Sequence, residues 1–243
     1  MAKAIIFAAG LGSRLKPITD TVPKALVKVN GKTLLEHSLN HLKKYGIVDV
    51  AINVHHHADQ IIRFIENKPV SGMNIFISDE RNKLLETGGG LKKVTSFFEN
   101  EPFFIACNVD IISDLNYNEL IAFHQKENAL ATLVVRSRKT NRYFLFNEHA
   151  DLCGWKNMQN NEIRLSNTQL QRLNPYAFSG IQVINAEMLS LLHSYGDAFS
   201  ITDVYIKLCA FYKIKAFIDQ TSYWIDVGTP SKLDEANKMN IDW

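Results

Sequence analysis

The sequence predicts an α/β fold in three layers: a mixed, mostly parallel sheet flanked by helices, with a small β-containing lid. Three observations carry that reading. Apolar runs without alternation, the mark of strands buried on both faces, recur at 3–7, 48–54, 73–77, 102–107 and 129–135. Helical patterns separate them, as right-handed crossovers between parallel strands require. Small or acidic residues follow several carboxyl ends, the edge at which open α/β sheets bind ligands.

The first run, 3–7, stops at Ala8-Ala9-Gly10-Leu11-Gly12-Ser13-Arg14. A helix is expected from Thr33, with Glu36 completing a capping box, Leu35, Leu39 and Leu42 on its inner face and Gly46 as its stop. After the second strand, His55, His56 and His57 read as a solvated loop, because neighbours on an extended chain point apart and converge poorly on one metal ion. A helix over 58–66 and the third strand follow. Gly88, Gly89 and Gly90 are expected to precede the next helix as a loop close to a ligand, because three glycines cost backbone entropy. The fourth strand delivers Asn108-Val109-Asp110, and a helix over 116–127 leads to the fifth.

Beyond Arg136 the pattern changes. Residues 142–146 and 152–156 read as a hairpin, 157–169 as a polar loop, and 176–183 as a strand containing Gly180. Helices are expected over 186–194 and 202–211 and short strands over 214–218 and 223–227. Thr229 and Pro230 then open a final helix. One domain over 1–243 is expected, in a first half (1–135) and a second half (136–243).

Composition narrows the function. With 46% apolar and 21% charged residues the chain is ordinary globular protein, long enough for a sizeable core. A net charge of +2 gives no basis for nucleic-acid binding, and no run is long enough to span a membrane. Cys107, Cys153 and Cys209 stand far apart, which disfavours a zinc site or disulfide framework and fits a reducing cytoplasm. No charged-then-apolar leader is seen at the first residues.

The chemistry concentrates in the first turn. Gly10 and Gly12 allow close approach to oxyanions, while Arg14 and Lys24 bring fixed positive charge. Two glycines alone make only a tight turn. Leu15 stands where a dinucleotide fingerprint needs its third glycine, and no Gly-Lys-Ser/Thr follows, so neither a Rossmann dinucleotide site nor a P-loop is present. Asp110 and Asp226 both end apolar strands. Each alone could be a turn former; brought together they offer hard oxygens suited to Mg²⁺. With Arg14 and Lys24 they would serve nucleotidyl transfer, in which an acceptor phosphate attacks an α-phosphorus and no general base is needed.

The pattern Gly-x-Gly-x-Arg, Pro-x-Thr and Pro-Lys over residues 10–24 resembles the signature of the sugar-phosphate nucleotidyltransferases, as do Asn108-Val109-Asp110 and Trp224-Ile225-Asp226-Val227-Gly228-Thr229-Pro230. The resemblance runs to about residue 240 and is weakest between 138 and 174. It implies a Rossmann-like fold of the nucleotide-diphospho-sugar transferase type, with Mg²⁺ on Asp110 and Asp226 and catalytic roles for Arg14 and Lys24. It implies nucleotide contacts from Ala8, Ala9, Gly10, Gly12, Ser13, Glu86, Thr87, Gly88 and Asn108, and a sugar pocket lined by Gly180. The substrates implied are a nucleoside triphosphate and a sugar 1-phosphate, handled by a monomer or small homo-oligomer. Leu85 to Gly90, Phe178 to Gly180 and Trp224 to Thr229 are most similar to short N-acetylmuramate-1-phosphate uridylyltransferases of cell-wall sugar recycling; a mannose- or heptose-1-phosphate guanylyltransferase is the alternative. Val109 replaces a glycine common in the family, and the family's Glu-Lys-Pro sugar contact is missing; Asn157, Arg164, Arg172 and Asn174 are open substitutes. Competing classes are a non-catalytic nucleotide-sugar sensor and a dehydrogenase. The four charged residues speak against the first and the missing glycine against the second.

Overall fold

The structure, a computed structural model, describes residues 2–166 and 172–239. In chain order the first half contains β1 (Lys3–Phe7), the short ribbon β2 (Lys28–Val29) and β3 (Lys32–Thr33), α1 (Leu34–Lys44), β4 (Asp49–Val54) and α2 (Ala58–Asn67). It continues through β5 (Asn74–Asp79), α3 (Glu86–Lys93), β6 (Phe103–Asn108), β7 (Ile111–Ser113), α4 (Tyr117–Glu127) and β8 (Ala131–Arg136). The remainder is β9 (Arg142–Phe146), β10 (Leu152–Asn157), β11 (Glu162–Leu165), β12 (Asn174–Asn185), α5 (Glu187–Leu192), α6 (Ile201–Leu208), β13 (Ile214–Ile218), β14 (Trp224–Asp226) and α7 (Pro230–Asn237).

Local chemistry explains most boundaries. Thr33 and Glu36 form the expected capping box of α1. Asn116, Ser200 and Thr229 each accept a backbone N–H at the start of their helices, and Pro230 occupies the first turn of α7. The three histidines form the turn into α2, with His55 Nδ1 2.8 Å from the Glu80 carbonyl oxygen.

The central sheet is mixed and mostly parallel. β5, β4, β1 and β6 run parallel, pairing for example Ile5 with Ala51 and with Ala106. β12 then inserts antiparallel between β6 and β8, and β13 lies parallel to β8. The early part of β12 also pairs with β9, which extends the sheet through β10 to β11. Alternate residues of β1 face opposite sides: Ala4 and Ile6 join one core with α1, α2 and α4, while Ile5 and Phe7 join another with α3, α5 and α6. Two cores on two faces make the three layers expected.

Two local expectations need correction. Gly88, Gly89 and Gly90 lie inside α3, not before it. Their bare backbone lets the helix pack onto 197–199: a Cβ at Gly88 would stand 2.4 Å from the Phe199 ring and one at Gly89 2.0 Å from the Asp197 carbonyl oxygen. The polar stretch 157–169 contains β11, held by pairing of Trp155 with Arg164 and Lys156 with Ile163; residues 167–169 lie outside the described residues. Residues 224–226 do not join the main sheet but pair with β7, matching Asp226 to Ile111. Of the aromatics considered for an interface, Tyr205 is buried and donates to Gln182 Oε1 at 3.0 Å, while Trp243 lies outside the described residues.

Candidate active site

Parallel strands β1, β4 and β6 end on one rim, and their continuations build the site there. The turn after β1 is fixed by its own polar groups. The Gly12 carbonyl accepts from Thr19 Oγ1 and from the Leu15 N–H, both at 2.8 Å. Gly12 has φ +65°, and a Cβ there would lie 2.8 Å from Thr19 Cγ2 and 3.3 Å from Lys24 Cβ. Gly12 therefore brings Lys24 under the loop. Gly10 differs: a Cβ there would meet nothing within 4 Å, so the protein itself makes no use of its bareness.

The loop forms one side of a cleft of about 350 Å³. Ala8, Ala9 and Gly10 line it from the loop, Asn108, Val109 and Asp110 from the end of β6, and Glu86 and Thr87 from the start of α3. Val109 packs into the first core at 3% exposure, and its N–H donates to the Phe7 carbonyl at 3.2 Å. Val109 also lines the cleft, but only with that small exposed part. Ser13 sits at the first turn past Gly12, in a short 3₁₀ segment.

Two residues that the sequence did not single out hold the cleft's sides in register. Asn53 Oδ1 accepts the Ala8 N–H at 2.8 Å, and Asn53 Nδ2 donates to Glu80 Oε1 at 2.9 Å. The Leu85 N–H reaches Glu80 Oε2 at 3.4 Å, directly before Glu86. Both side chains are 2% exposed, and burial raises the Glu80 pKa. No local pattern marks an Asn inside a strand as such a link. Gly88 is not on the cleft side: its N–H donates to the Phe199 carbonyl at 2.9 Å and it is buried.

The two carboxylates meet. The Asp110 carbonyl accepts the Val227 N–H at 2.8 Å, and the antiparallel β7–β14 pair sets Asp226 beside Asp110. Lys24 Nζ donates to Asp110 Oδ2, both side chains being largely buried. Burial alone would raise the Asp110 pKa; the Lys24 charge and hydrogen bond outweigh it and hold the carboxyl below its usual value. At Asp226 the Lys24 and Arg14 charges act in the same direction but are outweighed. Burial and the Asp110 charge push its pKa up to about 6. Arg14 Nη2 stands 3.9 Å from Asp226 Oδ2, on a side chain that is 63% exposed and free to reach outward. Gly228 permits that approach: a Cβ there would lie 2.6 Å from Asp226 Oδ1 and 2.7 Å from Arg14 Nη2.

Asp226 Oδ1 is buried and meets no hydrogen-bond donor among the described residues. A buried carboxylate oxygen without a donor, beside a second carboxylate, fits a hard divalent cation that keeps other oxygen ligands. Gly180, at φ +78°, lies where β12 is irregular against β8, and a Cβ there would stand 2.7 Å from Ile111 Cγ1 and 3.1 Å from Asn108 Nδ2. Gly180 thus seats β12 against the strand end that carries Asp110.

The open sugar-contact candidates fare unequally. Arg164 is spent on Asp203 at 2.6 Å and on Glu162 at 3.2 Å, with its guanidinium 4.4 Å from the Trp155 ring centre. Asn157 ends β10, Asn174 begins β12, and Arg172 is exposed just before it.

The sequence model of the family described as nucleotidyl transferase matches residues 3–150. An N-acetylmuramate alpha-1-phosphate uridylyltransferase from Caulobacter vibrioides is 41% identical over 45% of this chain, a match that spans only 46% of that relative's length. A protein of the same description from Neisseria meningitidis is 28% identical over 99% of both chains. Among solved structures, a putative glucose-1-phosphate thymidylyltransferase from Bacillus anthracis superposes with a TM-score of 0.81 at 20% identity, covering 100% of this chain and 98% of that one. At that identity the superposition speaks to fold.

Proposed function

This chain belongs to the nucleotidyl transferase family, and from that premise we propose that it moves a nucleoside monophosphate from a triphosphate to a sugar 1-phosphate, releasing pyrophosphate. One observation carries the reading: Arg14, Lys24, Asp110 and Asp226, far apart in sequence, converge beside a cleft of about 350 Å³. An oxygen of the sugar phosphate forms a bond to the α-phosphorus as the α–β bridging bond breaks. The acceptor is already an anion, so the site needs positioning and charge neutralisation, and its lack of a base is consistent with the chemistry.

Lys24 sits between Asp110 and the cleft, placed to turn toward the reacting phosphates. Arg14 is exposed enough to hold the outer phosphates. Asp110 and Asp226 would hold Mg²⁺, which when bound supplies neutralising charge to the phosphates. Ala8, Ala9, Gly10, Glu86, Thr87 and Asn108 supply the nucleotide side, and the sugar side is assigned to residues 136–243, which carry Asp226 beside Asp110. Gly12 and Ser13 shape the phosphate loop, while Gly88 and Gly180 act through packing.

The two relatives described as N-acetylmuramate alpha-1-phosphate uridylyltransferases favour uridine triphosphate with that sugar phosphate, and hence a role in cell-wall sugar recycling. No helix among the described residues is long and apolar enough to cross a membrane, and the three cysteines are free, which supports a cytoplasmic setting. Release of pyrophosphate, measured for each triphosphate against several sugar 1-phosphates with and without Mg²⁺, tests the proposal. Uridine triphosphate with N-acetylmuramate 1-phosphate should react fastest and only with the metal. A preference for guanosine triphosphate with mannose 1-phosphate would replace the uridylyl assignment, and no release with any pair would end the reading.

A further inference from the structure

β8 runs parallel to β6 across the intervening β12, so the residues after Arg136 emerge on the same rim as Asp110. Two arginines stand there, and they are treated differently. Arg136 Nη2 is 2.5 Å from Asp219 Oδ2 and also donates to Ser222 at 3.0 and 3.2 Å, so its charge is matched. Arg138 has no carboxylate within 4.0 Å among the described residues. Its recorded hydrogen bond runs from Nη2 to the Phe178 carbonyl at 3.0 Å, and its Nε, like that of Arg136, is buried without an acceptor.

Nearby groups keep that guanidinium in place. It lies 4.6 Å from the Trp224 ring centre, and Trp224 is itself pinned by Nε1 donating to the Ser179 carbonyl at 2.8 Å. Trp224 opens the strand that ends in Asp226, so Arg138 stands beside the proposed reaction centre and within reach of its field. Burial pulls the Arg138 pKa down, and the more distant Asp226 charge offsets that only in part. Such a group is costly to keep unless a ligand completes it. A guanidinium held over an indole keeps N–H donors for planar, two-pronged contact, which a carboxylate matches.

We infer that Arg138 is a specificity-determining residue of the sugar side and binds a carboxylate carried as a substituent on the sugar 1-phosphate. The inference rests on the sugar 1-phosphate reading above. The substrate's phosphate already has Arg14 and Lys24 near it; the anion left unmatched is the one on the sugar ring.

The test compares two sugar 1-phosphates that differ by one acidic ether, N-acetylmuramate 1-phosphate and N-acetylglucosamine 1-phosphate. Both are titrated calorimetrically and both are assayed for pyrophosphate release. The wild type should prefer the acidic sugar in both measurements. Arg138→Gln should lower kcat/KM for it by about a hundredfold, and for the neutral sugar by a few-fold at most, with the KM for triphosphate held. Arg138→Lys should recover part of the preference, and Arg63→Gln, on the exposed face of α2, should leave the ratio unchanged. An equal loss for both sugars would assign Arg138 to packing or to the common phosphate and overturn the inference. So would a wild type that binds the two alike. Selective binding that Arg138→Gln abolishes would uphold it even if no pyrophosphate is released, an outcome that would sink the reaction instead.

Discussion

The two sides of the cleft are made of different materials. The proposed nucleotide side is largely main chain: the turn 8–12, the strand end 108–110 and the start of α3, with the turn tied to α3 through the Asn53 and Glu80 side chains. The proposed sugar side is side chains: the Arg136 and Arg138 guanidinium groups lie 5.4 and 4.6 Å from the Trp224 ring centre, and Asp219 pairs with Arg136. Main-chain walls can grip what every substrate of such an enzyme shares, a base and a triphosphate. Side chains can be exchanged one at a time, and so are where choice of sugar can be written.

Asp226 is where the sides meet, and replacing it gives the largest expected effect. Asp226→Asn should cut pyrophosphate release roughly a thousandfold. A loss below tenfold would break the comparison by showing that the sugar-side carboxylate is dispensable. The same change should stabilise the metal-free protein. Asp226 titrates at about 6 when folded, so above that pH it is charged in both states and the folded protein bears the cost of the buried charge. Below about pH 4 it is protonated in both states and the cost disappears. The gain should therefore grow from pH 4 to 6 and then hold, at about 1–2 kcal/mol once solvent screening of this partly exposed group is allowed for. Thermal melting across that range measures it.

Two glycines sharpen the contrast within the nucleotide side. Gly89→Ala would drive a Cβ to 2.0 Å from the Asp197 carbonyl oxygen. Helix propensity gained, about 1 kcal/mol, should be outweighed by about 2–3 kcal/mol of overpacking. A net loss of several degrees in Tm is expected, visible by calorimetry. Gly10→Ala is the gentler partner: with nothing within 4 Å, it should leave Tm within a degree or two while raising the KM for triphosphate about tenfold. An unchanged KM would mean that no ligand approaches Gly10.

Sequence alone exposed the nucleotide side and hid much of the other, for a physical reason. Gly10, Gly12, Arg14, Lys24 and Asp110 follow strands whose apolar runs announce themselves, so their place on the rim could be read locally. Asp226 was legible through its neighbours up to Pro230. The triple glycine was read as loop because propensity says so; burial against 197–199 overrides it. β11 escapes a sequence reading because its alternation, Glu-Ile-Arg-Leu, spans only four residues at the sheet's outer edge, behind an Asn-rich turn. Arg138 with Trp224, and Asn53 with Glu80, are pairs made by tertiary contact, and nothing in their own segments marks them.

β12 has a last consequence. β8 belongs by sequence to the first part of the chain, yet both of its sheet neighbours, β12 and β13, come after residue 150. The opening segment thus cannot be cut away as a freestanding piece: severed at that point, it would carry one strand bare along both edges and another, β6, bare along one. Naked edges invite pairing with copies of themselves. The molecule is sewn shut by a stitch laid late, so nascent chain emerging in order must wait for its final third before the middle of the sheet can close.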